Sequence, residues 1–343
     1  MNKKLLLEIF RIPAMSYHEE AMANFIKKKL NEFNIPYKQD AKGNIYNISY
    51  KNRPLLSAHM DTVQDVNDTL LVDFIKIKGS YLSGYGVIGG DDKCGIYIIL
   101  ETLKDREMNF VFFVEEESGG NGSTEWIKDR NLDHIPYGLV LDRMGKGDII
   151  CSKNDYGTKE FETFLHEIGK DFGFSPAIGT FSDADSLNEL ISCANLSCGY
   201  YGAHTKHEFV MLEDLENTFK YVNAIISNVK EKFEKPKKTK YDWRKNRGGI
   251  YGYGDYEYGD DYYLYGSGKK KEESEKEDSL FGITTTDIEC VVCGKEKPTV
   301  YITNLNDFIC FPCIGALKDE LEEAETKIFL DEEIWNNTTT IGG

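Results

Sequence analysis

The sequence has no long apolar run and a deficit of positive charge. None of its apolar stretches approaches the ~20 residues that a transmembrane helix needs. The opening segment MNKKLLLEIFRIP is interrupted by Glu8 and Arg11 and is too short for the apolar core of a signal peptide. With 41 Lys and Arg against 58 Asp and Glu, the net charge of −17 would repel nucleic acids and anionic membranes. We therefore expect a cytoplasmic protein that acts on small molecules or peptides.

The cysteines lack the pattern of a disulfide framework. Of the eight, four lie in the motifs CVVC and CFPC, and Cys94, Cys151, Cys193 and Cys198 are scattered. This usage predicts a reducing compartment and one metal site. The motif residues Cys290, Cys293, Cys310 and Cys313 have the spacing of a tetrahedral four-thiolate zinc site. Because four cysteines leave no open coordination position, we expect one structural zinc in a treble-clef or zinc-ribbon module.

The order of the elements predicts an α/β fold over residues 1–235, with a mixed, largely parallel central sheet flanked by helices. The apolar runs at 54–59, 110–115 and 138–142 are continuous, as expected for strands that helices cover on both faces. Ser16, followed three residues later by a glutamate, predicts a capping box at the start of an early helix.

The composition changes after this region. Residues 236–280 are rich in Gly, Tyr and Asp and then in charges, which predicts a linker. Residues 281–343 form the predicted cysteine module with an acidic helix. The acidic residues outnumber the lysines there, so we expect the module to dock on a protein partner and not on nucleic acid.

Polar groups gather at the ends of the predicted strands and in the turns after them. They are His59 and Asp61, Asp91 and Asp92 in GGDDKCG, Glu115 to Glu117 in VEEESGGNG, Asp142 in VLD, and His204 and His207 in GAHTKHE. The carboxyl ends of strands in an open α/β sheet form one ligand-binding edge, so these groups can converge. Imidazoles and carboxylates crowded in one cleft repel each other unless cations neutralise them. Nitrogen and oxygen ligands without thiolate suit zinc, with manganese or cobalt as alternatives.

Such a set of residues can hydrolyse amides. Asp61 lies two residues from His59 on a strand, so it points to the same side and could orient the imidazole. A carboxylate can also bridge two metal ions in hydrolases such as aminopeptidases. A glutamate kept off the metal could take a proton from water and give it to the leaving amine.

The motifs SAHMDTV, GGDDKCG, VEEESGGNG, VLD and GAHTKHE resemble, in order and character, those of the co-catalytic zinc exopeptidases. They are most similar to the M20 group that includes peptidase T, with relatives among the M28 and M42 aminopeptidases. The resemblance covers about residues 1–230. It implies that His59 and Asp142 hold one zinc, that Glu117 and His204 hold the other, and that Asp91 bridges the two.

The resemblance also implies two roles beside the metals. Glu116 would be the general base and Asp61 would orient His59. Glu115 is the alternative to Glu116 as the general base, and Asp92 is the alternative to Asp91 as the bridging ligand.

One feature departs from the M20 pattern. Residues 143–203 are too few for the separate lid or dimerisation domain that M20 enzymes insert at this place, so the architecture looks closer to the lidless M28 arrangement. Tyr200 or Tyr201 would then replace a lid contact to the oxyanion.

The sequence thus predicts a di-zinc exopeptidase that acts on short peptides, with an aminopeptidase favoured. The alternatives are a deacylase of acylated amino acids and a non-catalytic binding protein that keeps the exopeptidase fold.

Overall fold

The computed structural model describes residues 1–228 and 232–236, and the backbone of three strands between residues 287 and 310. Most of the predicted linker and cysteine module lies outside the described residues. The four-cysteine zinc site therefore remains a prediction, as does the division of the chain at residues 235 and 280.

Eight strands form the main sheet. In spatial order they are β1 (Lys38–Gln39), β2 (Ile45–Asn47), β6 (Asn109–Phe113), β3 (Leu55–His59), β7 (Gly138–Arg143), β10 (Cys193–Ser197), β8 (Asp148–Ile150) and β9 (Ser175–Ala177). The central strands β6, β3, β7 and β10 run parallel to one another. Strands β1 and β2 pair antiparallel to their neighbours, and β8 is antiparallel to β10 but parallel to β9. This confirms the predicted mixed, largely parallel sheet.

The continuous apolar runs are explained by burial on both faces of the sheet. Along β3, Leu56 packs into one core and Leu55 into the other. Along β6, Phe112 and Phe113 divide in the same way. Successive side chains of a strand point to opposite faces, so a strand covered on both faces needs apolar residues at every position.

Eight α-helices belong to the described residues. They are α1 (Lys3–Phe10), α2 (Glu20–Glu32), α3 (Val66–Leu70), α4 (Gly90–Leu103), α5 (Asn121–Trp126), α6 (Lys159–Gly169), α7 (Ala184–Leu187) and α8 (Leu212–Ser227). Buried residues of α1, α2, α4, α6 and α8 share one core, and those of α5 and α7 lie in the other. The flanking layers that the sequence predicts are therefore present.

The segment NLSCGYY contributes to two strands in different sheets. It divides into β10 and β11 (Tyr200–Tyr201), and β11 joins a smaller antiparallel sheet in the order β11, β12 (Phe209–Met211), β5 (Tyr81–Ser83) and β4 (Lys76–Lys78). Gly199 lies in the turn between β10 and β11, where the chain passes from one sheet to the other. Its φ is +83°, and a Cβ there would lie 2.5 Å from the backbone nitrogen of Leu215, so only glycine fits this turn.

The capping box predicted at Ser16 is wrong. Helix α2 begins at Glu20 without a side-chain cap. The Ser16 hydroxyl instead donates a 2.8 Å hydrogen bond to Asp61 Oδ2, across 45 positions of sequence. Ser16 therefore makes a long-range contact with a candidate site residue and does not cap the nearby helix.

A separate three-stranded antiparallel sheet is described in the C-terminal part. Strand β14 (Glu296–Ile302) pairs with β13 (Asp287–Glu289) on one side and with β15 (Asp307–Cys310) on the other. Over the part of the chain that is described, no helix combines the length and apolarity needed to cross a bilayer.

Candidate metal centre

The parallel strands bring separate segments to one edge of the sheet. His59 is the last residue of β3 and pairs with Phe113, the last residue of β6, so the turn with the three glutamates begins next to it. Asp142 lies near the end of β7, which is paired with β3 on the other side. The strand-end positions that the sequence singled out are thus neighbours in space.

Asp91 lies at the centre of the cluster, in the first turn of α4. Its Oδ1 is 3.0 Å from His59 Nε2, and its Oδ2 is 3.2 Å from His204 Nε2. On the first side, Asp142 Oδ1 is 3.5 Å from His59 Nε2. On the second, Glu117 Oε1 is 2.9 Å from His204 Nε2. The five predicted ligands therefore lie together as two histidine–acid pairs that share one aspartate.

The donors at this place fit a metal ion. Ligand atoms of His59, Asp91 and Glu117 lie within 4.8 Å of one another. The buried Glu117 Oε1 has no hydrogen bond of acceptable geometry to any described residue, despite its short distance to the imidazole of His204. A buried carboxylate oxygen without a hydrogen bond is costly unless a cation satisfies it.

Asp91 and Asp92 differ in what their carboxylates contact. Asp92 is fully buried, and its Oδ2 and Oδ1 accept the backbone N–H groups of His59, at 3.1 Å, and Gly95, at 3.0 Å. The Asp92 carboxylate also lies within 4.8 Å of ligand atoms of His59 and Asp142. Only Asp91, however, has one oxygen toward each histidine. This geometry favours Asp91 as the bridge.

Glu115 and Glu116 point in different directions. Glu115 has a φ of +55°, and its Oε1 pairs with Lys42 Nζ at 2.6 Å, away from the cluster. Glu116 is 7% exposed, and its Oε2 lies 4.0 Å from His59 Nε2. Of the two glutamates, only Glu116 is near the candidate ligands without being one of them.

Asp61 makes more contacts than the sequence predicted. His59 Nδ1 lies 2.9 Å from the backbone carbonyl oxygen of Asp61 and 3.4 Å from its Oδ1, so the backbone makes the closer contact with the imidazole. The carboxylate itself accepts the backbone N–H groups of Glu116 at 3.0 Å and Glu117 at 3.2 Å, besides the Ser16 hydroxyl. Asp61 thus joins the end of β3 to the glutamate turn.

Burial and close charges shift the pKa values of the cluster. Burial raises the pKa of Glu116 to about 10 and outweighs the attraction of His59. The close carboxylates of Asp91 and Glu117 raise the pKa of His204 to about 11, against the opposing effect of burial. Acids crowded in a dry site retain protons, and a cation among them would favour their ionised forms.

Tyr200 and Tyr201, the two candidates for the oxyanion contact, differ in what their hydroxyl groups contact. Tyr200 is buried, and its hydroxyl is 3.4 Å from Asp142 Oδ1. The Tyr201 hydroxyl instead donates to Asp214 Oδ2 at 2.6 Å. Tyr200 therefore reaches the candidate site, and Tyr201 does not.

Two further residues of the site escaped the sequence analysis. Asn195 Oδ1 accepts the N–H of Asp142 at 3.1 Å, and its amide nitrogen donates to the carbonyl of the same residue. Asp183 in the segment GTFSDADS is 1% exposed, its Oδ1 has no hydrogen-bond partner among the described residues, and burial raises its pKa to about 7. The side chain of Asp183 does not cap helix α7. The Asp–Ala–Asp pattern resembles a helix start, so sequence gave no specific signal for a buried acid.

Comparisons with known proteins point to peptidases. The family model described as Peptidase family M28 matches residues 43–186, which contain all the candidate ligands except His204. Over that segment the resemblance to M28 peptidases is confirmed. The closer likeness to the M20 group stays a prediction.

Curated relatives match over part of their length. Protein YqjE of Bacillus subtilis, itself uncharacterized, is 29% identical over 179 residues, which are 44% of this chain and 47% of that protein. The cytosol non-specific dipeptidase of Escherichia coli is 28% identical over 138 residues, 35% of this chain and 28% of the dipeptidase. The chain thus spans less than half the length of these relatives.

Solved structures with the same fold include peptidases. Aminopeptidase PepT from Bacillus cereus aligns with a TM-score of 0.54 at 18% identity, over 66% of this chain and 97% of that one. An aminopeptidase from the archaeon Desulfurococcus kamchatkensis aligns with a TM-score of 0.52 at 14% identity, over 72% and 98%. At these identities the likeness establishes the fold. The family model and the curated dipeptidase agree with the prediction of a hydrolytic enzyme.

Proposed function

We propose that this chain is a metal-dependent hydrolase of short peptides, and specifically an aminopeptidase with two zinc ions and Glu116 as general base. The observation that carries the proposal is the position of Asp91, with one carboxylate oxygen toward each of two histidine–acid pairs. The proposed ligands are His59 and Asp142 for one ion, Glu117 and His204 for the other, and Asp91 for both.

Two ions held there would lower the pKa of water and polarise the carbonyl of the scissile amide. Glu116 then has the task of moving the proton. Its carboxylate would take a proton from the attacking water and deliver it to the leaving amine. Its position next to His59, without a lysine partner like that of Glu115, supports this role. Asp61 would hold the backbone of Glu116 at the correct distance.

Tyr200 is the proposed contact to the oxyanion. Its buried hydroxyl lies beside Asp142, at the end of β7 where the carbonyl would be polarised. A hydroxyl donor aimed at developing negative charge stabilises the transition state.

The test is the substitution Glu116→Gln in the full chain. The amide keeps the shape of the side chain but cannot accept the proton, so hydrolysis of dipeptides and tripeptides should fall by about 10²–10⁴-fold. Metal content, measured by elemental analysis, should stay that of the unchanged protein. Unaltered turnover in this variant would remove Glu116 from the mechanism.

A substrate screen separates the two hydrolase alternatives. An aminopeptidase needs a free amino group, so it should cleave unblocked peptides and reject the same peptides with an acetylated N-terminus. A deacylase of amino acids should show the reverse preference. Chelator should abolish either activity and added zinc, manganese or cobalt should restore it. Absence of hydrolysis under all these conditions would favour the non-catalytic binding protein.

A further inference from the structure

Glu208 is a buried acid that no role above accounts for. Glu208 is buried, with 2% of its surface exposed. Its two carboxylate oxygens accept separate backbone N–H groups: Oε2 that of Gly89 at 2.7 Å, and Oε1 that of Asp91 at 3.2 Å. One carboxylate thus spans the turn that delivers Asp91 to the candidate metal centre.

Glu208 belongs to the same connection as His204. That connection, residues 202–208, joins β11 to β12 and is closed by the hydrogen bond from the Thr205 hydroxyl to the carbonyl of Gly202, at 2.7 Å. His204 is 47% exposed and has a φ of +64°. Its backbone is therefore held by neither a strand nor a helix. His204 contacts the side chain of Asp91, and Glu208, four residues after His204, accepts the backbone N–H of Asp91. The connection that carries His204 is therefore attached to Asp91 at two points.

The fit around the carboxylate is tight. A Cβ on Gly90 would lie 2.9 Å from Glu208 Oε1 and 2.8 Å from Tyr200 Cβ. The turn can therefore approach the acid only because residue 90 has no side chain. Both partners of Glu208 are donors, so an acceptor is required at each of its two oxygen positions.

We propose that Glu208 is a positioning residue that sets the distance between Asp91 and His204, and thereby the affinity of the site for its second metal ion. The proposal rests on the function proposed above. In this proposal the acid is not itself a metal ligand. It acts through the backbone of Asp91 and through its own connection, which carries His204. A carboxylate offers two acceptors to the two N–H groups, whereas an amide offers one acceptor and one opposing donor.

The experiment compares Glu208→Gln with Glu213→Gln in the full chain. Glu213 lies five residues away at the exposed start of α8, so the matched control removes the same charge from the surface. Metal-stripped proteins are titrated with zinc against a chromophoric chelator. We expect Glu208→Gln to weaken one chelator-accessible zinc by about 10–100-fold, as for other groups that orient metal ligands. The other zinc, and both in the control, should keep their affinities.

Thermal unfolding is also measured with excess zinc and with excess chelator. A merely structural role of Glu208 would lower both Tm values alike and leave the difference between them unchanged. A positioning role predicts a smaller zinc-induced rise in Tm for Glu208→Gln than for the control. If Glu208→Gln does not fold, Glu208→Asp takes its place, since its shorter side chain keeps the charge but cannot span both N–H groups. Equal zinc affinities and equal rises in Tm in the substituted and control proteins would overturn the proposal.

The outcome also separates this proposal from the one on which it rests. If the unchanged protein binds no chelator-accessible zinc, the proposed metallohydrolase fails first. If it binds two such ions and Glu208→Gln binds them equally well, the metallohydrolase stands and only the role of Glu208 is refuted.

Discussion

The two halves of the candidate metal centre are built differently. His59 ends a central strand, is 1% exposed, and is fixed through both its backbone N–H and its Nδ1. Its proposed partner Asp142 lies on the adjacent strand and is held through its backbone by Asn195. His204, in contrast, lies on a connection between two short strands and is 47% exposed. The register of the main sheet sets the first half, and side-chain contacts to a connection set the second.

This difference predicts unequal metal sites. In the first half, both ligands lie on strands of the main sheet, and the buried side chains of Asp92 and Asn195 hold their backbones. In the second half, it depends on a segment whose conformations are restricted by fewer buried contacts, and such segments open at lower free-energy cost. We therefore expect the ion near His59 to bind more tightly than the ion near His204.

The largest effect is expected for His59→Ala. The substitution removes a proposed ligand and leaves the partly buried carboxylates of Asp91 and Asp142 without the imidazole, so repulsion between them remains uncompensated. A metal ion supplies several kcal/mol of transition-state stabilisation, so peptide hydrolysis should fall by about 10³-fold or more. Turnover, zinc content and Tm should all decrease. Retention of both ions in this variant would contradict the proposed ligand set.

His204→Ala should have a more limited effect and so sharpens the comparison. The side chain is half exposed, so the Tm in the presence of chelator should fall less in this variant than in His59→Ala. One zinc should be lost at low metal concentration while the other stays bound. Excess zinc should restore part of the activity, since Glu117 and Asp91 remain as ligands. Zinc titration of the two histidine variants side by side checks this, and equal losses from both would refute the unequal sites.

The first half was predictable from sequence because its elements are periodic. Continuous apolar runs identified β3, β6 and β7, and parallel strands place their ends together, so His59, the glutamates and Asp142 had to be neighbours. The family resemblance selected Asp91 and His204 from the candidate residues in their motifs and gave them their roles.

The contacts that hold these residues in place were not predictable. Ser16 and Asp61 are 45 positions apart, and Glu208 is 117 positions from Asp91. Such pairs have no periodicity, and each depends on the conformation of a turn. The wrong prediction of a capping box at Ser16 has the same cause, since a serine before a helix has a local use that the long-range bond to Asp61 replaced.

Asp61→Asn tests how the glutamate turn is joined to β3. An asparagine side chain has one acceptor oxygen, whereas Asp61 accepts the N–H groups of both Glu116 and Glu117 and the hydroxyl of Ser16. The amide nitrogen would face one of these donors, and the turn would move. We expect kcat to fall by about 10–100-fold with a smaller change in KM. A change confined to KM would show that Asp61 acts on substrate binding instead.

The smallest effect, and the sharpest contrast with Glu116→Gln, is expected for Glu115→Gln. The carboxylate of Glu115 is paired with Lys42 at 2.6 Å, and Lys42 is not one of the candidate ligands. Exposed or partly exposed ion pairs of this kind contribute about 0–1 kcal/mol, so the Tm should fall only slightly and the kinetic constants should stay within about twofold of the original values. Lys42→Met removes the same pair from its other end and should behave alike. If Glu115→Gln instead abolished hydrolysis while Lys42→Met did not, the general base would be Glu115 and not Glu116. The turn after β6 would then direct the side chain of Glu115, and not that of Glu116, toward the metals.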